Sequence, residues 1–171
     1  PTVTTAGKAA SAAGIRPVTA AITQVESASL TDTSTGIKIA YPSNAKDAKG
    51  LLKTACQMND PVIFMEHKGL YRQGFAARPE PDSDFYLPFG VANLVQEGND
   101  LTIITWGAIV QKTIEAVRNI GVSADIIDLR TLNPLDINSI LSSVQKTGRV
   151  IVAHEDNLTN GFGAEITAQI A

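Results

Sequence analysis

The chain of 171 residues is long enough for one ordinary domain or two small ones, and its 44% hydrophobic and 18% charged residues exclude wholesale disorder. A net charge of -3 with a pI near 5.3 offers no basic footprint for nucleic acid or an anionic membrane surface. The single cysteine, Cys56, excludes an internal disulfide and suits a reducing compartment. No apolar run approaches the ~20 residues that span a bilayer, and the first residues lack the basic-then-apolar pattern of a secretory signal, so a cytoplasmic protein is expected.

In chain order, the small residues at 6–13 suit a helix packed closely on a sheet, and Arg16-Pro17 leads into a short strand at 18–22. Residues 23–35 are polar and read as loop. Residues 37–41 alternate as a strand that Pro42 and Ser43 stop, with Ser43 the expected cap of a helix over 44–58. That helix would place Ala48, Leu51, Leu52 and Ala55 on one face. Asn59-Asp60-Pro61 turns the chain into a strand at 62–66. From His67 to Pro88 the pattern dissolves into prolines, glycines and mixed charges without a period, which reads as a linker.

The second unit, from Phe89 onward, is more regular. Apolar runs at 101–106, 122–129 and 150–153 alternate with helical spacing at Val110, Ile114 and Val117, and again at Ile137, Ile140, Leu141 and Val144. Gly121 and Gly148 close those two helices, and Gly161-Phe162-Gly163 opens a last one. Strands alternating with helices of this length predict parallel pairing through right-handed crossovers. Ligands and partners meet such sheets at the carboxyl ends of their strands. Here those ends carry Trp106-Gly107, Arg130-Thr131 and His154-Glu155-Asp156.

Several chemistries are missing. There is no Gly-x-Ser-x-Gly elbow, no phosphate-binding Gly-x-x-x-x-Gly-Lys loop, and two isolated histidines with one cysteine make no zinc site. Gly161 and Gly163 lack the third glycine of a dinucleotide fingerprint, since Ile166 stands there. His154 reads either as a general acid/base or polar anchor, or as a histidine hydrogen-bonded to its own loop. Arg130 reads either as a contact for an anionic group or partner carboxylate, or as an internal salt bridge to Asp128 or Asp136. Asn133-Pro134 and Asp136 read as a helix start with Asn133 capping. Trp106 before a glycine suggests packing or interface, and Asp60 and Glu26 read as solvated acids.

Three groups of segments carry a family resemblance: IAYPSNAKDAKGLL at 39–52 with DPVIFME at 60–66; EGNDLTIITWG at 97–107; and DLRTLNPLD at 128–136 with TGR at 147–149, HED at 154–156 and GFGAE at 161–165. Together they resemble the beta subunit, or beta half, of thiamine-diphosphate-dependent 2-oxo acid dehydrogenases of the pyruvate and branched-chain type. The resemblance implies an α/β fold of two parallel-sheet units: an incomplete transketolase-like pyrimidine-binding domain at 1–66, a linker at 67–88, and a transketolase C-terminal-like domain at 89–171. It implies decarboxylation of a 2-oxo acid on thiamine diphosphate and transfer of the acyl group to lipoamide. The partners implied are an alpha subunit or alpha half, which holds the magnesium and diphosphate, a second beta copy, and the lipoyl acyltransferase core. The bacterial cytoplasm or the mitochondrial matrix is the implied location.

The same resemblance places the family's catalytic glutamate upstream of Pro1 and its last strand beyond Ala171, so a fragment is expected and no catalytic residue is assigned. The family's histidine before a Ser-Gln pair has no counterpart at Ile22-Thr23-Gln24. Arg130, His154 and Glu155 are the expected contacts at an interface or active-site edge. A potassium ion found in some family members would fall, by position, on backbone groups of Ala55, Cys56 and Met58 and on Asp60. HKGLYR at 67–72 is slightly closer to the branched-chain type. Two other readings remain: a non-catalytic dimerisation and docking module for the acyltransferase core, or another transketolase-family enzyme acting on sugar phosphates.

Overall fold

The computed structural model describes residues 36–157 and 159–171. The helix expected at 6–13, the strand at 18–22 and the polar stretch at 23–35 lie outside them. Within them run Lys38–Ala40 (β1), Ala45–Gln57 (α1), Val62–Phe64 (β2), Asn93–Gln96 (β3), Leu101–Thr105 (β4), Ile109–Ile120 (α2), Ala124–Asp128 (β5), Thr131–Asn133 (β6), Ile137–Thr147 (α3), Val150–Ala153 (β7) and Phe162–Ile170 (α4).

The order β3-β5-β4-β7 forms a four-stranded sheet, in which β5, β4 and β7 are parallel as the alternation predicts. Thr105 lies in register with Asp128 on one side and with Ala153 on the other, so Trp106, Leu129 and His154 leave the sheet at one edge. The expectation of purely parallel pairing fails at two places. β3 runs antiparallel to β5, because the short turn after Gln96 reverses the chain and β5 occupies the slot between β3 and β4. Gly98 in that turn has no room for a side chain, since a Cβ would stand 2.2 Å from the Ala124 backbone nitrogen. β6 leaves this sheet altogether and pairs antiparallel with β1, which is parallel to β2. Three residues from the second half of the chain thus complete a sheet begun in the first.

Side chains alternate across β4. Ile104 and Trp106 face α3 and α4 in a core with Ile127, Leu129, Ile140 and Ile166, while Ile103 packs with Val117 and Ile126 under α2. Beside the first core lies a closed polar network. Asp125 accepts from Lys146 at 2.6 Å, Ser143 at 2.6 Å and the Gly98 amide at 2.8 Å. Burial alone would raise the Asp125 carboxyl, but these donors outweigh it and hold it below the usual carboxylate range.

Helix ends differ from expectation by a residue or more. Asn44, not Ser43, caps α1, its side chain accepting from the Asp47 amide at 3.0 Å. The Ser43 hydroxyl is committed elsewhere, donating to Asp128 at 2.5 Å. Asp136, not Asn133, caps α3 by accepting from Ser139, because Asn133 is still in β6 and its side chain donates to the Ile37 carbonyl. The buried face of α1 is Asp47, Gly50, Leu51 and Ala55, and Leu52 is 44% exposed. Gly50 is buried because the linker lies as a strap across this helix. Lys49 bonds Glu80 at 2.8 Å and the Pro81 carbonyl at 2.9 Å, Lys53 bonds the Ser83 carbonyl, and the Leu87 amide donates to the Gly50 carbonyl at 3.3 Å. A Cβ on Gly50 would stand 2.7 Å from the Phe85 ring. Among the described residues no helix is long and apolar enough to cross a membrane.

Candidate functional site

From β4 the chain crosses through α2 to β5 on one side, and from β5 it returns through β6 and α3 to β7 on the other side of β4. The crevice where an open α/β sheet binds ligands therefore opens between the ends of β4 and β7. It is filled by the chain's own side chains. The Trp106 and His154 rings stack with centroids 5.2 Å apart and 13° between planes, and Phe162 meets Trp106 edge-on at 6.1 Å. His154 Nδ1 accepts the Asp156 amide at 3.2 Å, so the histidine does bond its own loop. The glycine pair serves this ring rather than a phosphate: a Cβ on Gly163 would stand 2.2 Å from His154 Nε2, and one on Gly161 2.1 Å from the Asn157 carbonyl oxygen. Gly107, at φ +58, gives way in the same manner to Tyr41, whose Cε1 would lie 2.3 Å from a Cβ there.

Gly163→Ala gives a direct check. In a helix, alanine would ordinarily gain roughly 1 kcal/mol over glycine. Here the ring cannot retreat through Trp106, so a loss of about 1–3 kcal/mol is expected in urea melts. A change in Trp106 fluorescence should accompany it. A stabilised variant would show that His154 does not occupy this place.

Arg130 does not share that stack. It stands at φ 59 after β5, and its guanidinium reaches α1, where Nε and Nη2 bond the two oxygens of Asp47 at 2.8 and 3.2 Å. Neither Asp128 nor Asp136 is its ion-pair partner. Asp136 is occupied at the α3 cap, and from Arg130 Asp128 receives the backbone amide alone, at 3.2 Å. Both ends of the Asp47 pair are shielded, with side-chain exposures of 16% and 4%. Asp128 is buried, and this burial pushes its carboxyl up to about 7 against the opposing hydrogen bonds from Ser43 and Arg130. Sequence reasoning weighed Asp128 only as a partner for Arg130 and passed over Asp47. The available signal was an acid in the first turn of a helix, which reads equally well as dipole chemistry.

Glu155 sits at the other end of the rim. It accepts from His67 of the linker at 2.9 Å and from Lys112 of α2 at 3.4 Å. Burial would raise its carboxyl, but the bonds from His67 and Lys112 prevail and hold it low. The rim thus carries two clasps, Arg130–Asp47 and Glu155–His67, each joining the four-stranded sheet to the earlier part of the chain.

Ala55, Cys56, Met58 and Asp60 cluster at the end of α1. The Ala55 carbonyl accepts the Met58 amide at 3.2 Å, and Asp60 lies 4.0 Å from the Lys38 ammonium. Backbone carbonyls and one carboxylate are hard oxygen donors, the chemistry a potassium ion takes. The described residues bring together no group of three or more His, Cys, Asp or Glu able to hold a metal ion.

A three-stranded parallel core with an antiparallel edge, its crevice filled by Trp106 and His154 and its rim tied to a preceding α/β segment, defines an α/β protein of two linked sheets. Residues 90–171 match the family described as transketolase, C-terminal domain, and residues 11–73 that described as transketolase, pyrimidine binding domain. A solved structure titled "Split gene transketolase, inactive beta4 tetramer" aligns with a TM-score of 0.64 at 25% identity, covering 79% of this chain and 44% of that one. "Pyruvate dehydrogenase E1 component subunit beta" of Staphylococcus epidermidis is 43% identical over 142 residues, and its Staphylococcus aureus counterpart 42%. The chain thus carries both transketolase domains and is similar to these pyruvate dehydrogenase beta subunits. The match covers 81% of the chain but 43% of the length of these curated relatives.

Proposed function

We propose that the chain is the beta component of a 2-oxo acid dehydrogenase, acting in a bacterial cytoplasm. In the complete enzyme it would support decarboxylation of a 2-oxo acid on thiamine diphosphate and passage of the acyl group to lipoamide. The observation that carries this reading is the 43% identity to a pyruvate dehydrogenase beta subunit, which extends over 142 residues. Thiamine diphosphate would lie against the pyrimidine-binding part, with magnesium and the diphosphate on the alpha partner. Potassium would be held by carbonyls of Ala55, Cys56 and Met58 with Asp60. Arg130, His154 and Glu155 act by position: Arg130 ties the C-terminal part, at 89–171, to Asp47 of the pyrimidine-binding part, Glu155 ties it to His67 of the linker, and the His154 stack firms the rim between them, so that a second beta copy and the acyltransferase core would meet a rigid surface.

Adding the alpha partner and thiamine diphosphate to the full chain and measuring carbon dioxide release tests this. Release from pyruvate or from 2-oxoisovalerate supports the reading, and the preferred acid assigns the substrate. One specific observation favours the docking module: Arg130 is already neutralised by Asp47, and His154 is spent on Trp106 and Asp156. No turnover with the partner present, together with retained binding to the acyltransferase core, would establish that reading instead. Turnover of sugar phosphates alone would point to another transketolase-family enzyme.

A further inference from the structure

We propose that the cavity between α1, the linker and the first turn of α2 binds a small oxyanion-bearing metabolite, gripped by Lys46 and Arg78. The cavity measures about 300 Å³, and its polar lining includes Ser43, Lys46, Arg78, Asn93, Gln111 and Asp128. That volume lies at the small end of ligand pockets, room for a short organic acid or a single phosphate group rather than a dinucleotide.

Charge decides the sign of the ligand. The acids at this cavity are already answered: Asp47 is bridged by Arg130, and Asp128 takes bonds from the Ser43 hydroxyl and the Arg130 amide. Among the described residues the two cations are in no ion pair. Lys46 rests its ammonium 5.1 Å from the Phe85 ring centroid. Arg78 donates through Nη1 to the carbonyls of Phe75 and Ala77 at 2.5 and 2.8 Å, which leaves Nε and Nη2 with donors to spare. A guanidinium with one edge pinned to backbone and the other open is pre-organised for a planar or tetrahedral oxyanion.

The walls agree with the charges. Val110, Gln111 and Ile114 bring the amino end of α2 to the cavity, and Ala108 at the cap position offers those amides no side-chain acceptor. Asn93 and Gln111 add neutral amides that can orient a bound group.

Isothermal titration of the full chain at low ionic strength, with inorganic phosphate in one arm and citrate in the other, tests the proposal and tells phosphate from carboxylate ligands. Saturable binding of either probe is expected. Lys46→Ala and Arg78→Ala should each weaken it at least tenfold, and Arg118→Ala, which removes an equal charge at the far end of α2, should leave it unchanged. Lys46 is exposed, so its variant stays informative if Arg78→Ala loosens the linker. No saturation with either probe, or equal weakening by Arg118→Ala, overturns the site. The readout is binding rather than turnover, so its failure leaves the catalytic reading untouched.

Discussion

Arg130→Met is expected to lower the unfolding free energy by about 3–5 kcal/mol, because it leaves the Asp47 carboxylate buried without its cation. The backbone does not enter the difference. Arg130 already bears the penalty of φ 59, and methionine at the same position bears it equally. Removing the acid as well, in Asp47→Asn with Arg130→Met, should return most of the loss, since the double variant buries no uncompensated charge. A double-mutant cycle in guanidinium melts measures this coupling. A cost below about 1 kcal/mol for the single variant would mean that the pair behaves as a surface ion pair. The cost should be cooperative, because the same turn carries the Arg130 carbonyl that accepts the Tyr41 amide at 2.8 Å and leads directly into β6.

This ion pair also shows how far the sequence could be read. The helices at Ile109–Ile120 and Ile137–Thr147 and the strand at Val150–Ala153 were legible to the residue, because apolar periodicity and the glycines at 121 and 148, both at positive φ, are local signals. The parallel pairing of β4 with β5 and β7 followed from the alternation of elements, though their spatial order did not. What could not be read depends on distant pairing. β6 has three residues and no period of its own, and exists because β1 lies beside it. β3 stands at an edge with Leu94 46% exposed, so it lacks the continuous apolar run of a buried strand. Asp47 and Arg130 are 83 positions apart, and nothing local distinguishes Asp47 from any first-turn acid. His154 was legible as a residue at the right edge, but whether it would face solvent or stack on Trp106 depended on the space left by Gly161 and Gly163.

The second large effect lies in pH dependence. Asp128 titrates in the folded chain at about 7 against an ordinary 3.8, so the native state favours its protonated form. Below pH 3.8 both states carry the proton and the carboxyl has no influence on stability. As pH rises from there the unfolded chain ionises freely while the folded chain resists. The Asp128 contribution to native stability must therefore fall across the window up to pH 7, and its loss is complete and constant above it. The shift corresponds to a loss on the order of 4 kcal/mol. Asp128→Asn should remove this slope. Its carbonyl can keep the bond from the Arg130 amide, and its amide nitrogen can donate to the Ser43 hydroxyl, which turns to accept. The carboxylates held low, Asp125 and Glu155, act in the opposite sense: their contribution is present above the ordinary carboxylate range and lost as pH falls. They are common to both proteins, so the difference between wild type and Asp128→Asn isolates Asp128. Urea melts at pH 5 and pH 8 should show the variant gaining on the wild type at the higher pH. Parallel curves would mean that Asp128 is ionised in the folded chain, and that the Ser43 hydroxyl and Arg130 amide suffice to hold a buried carboxylate charged.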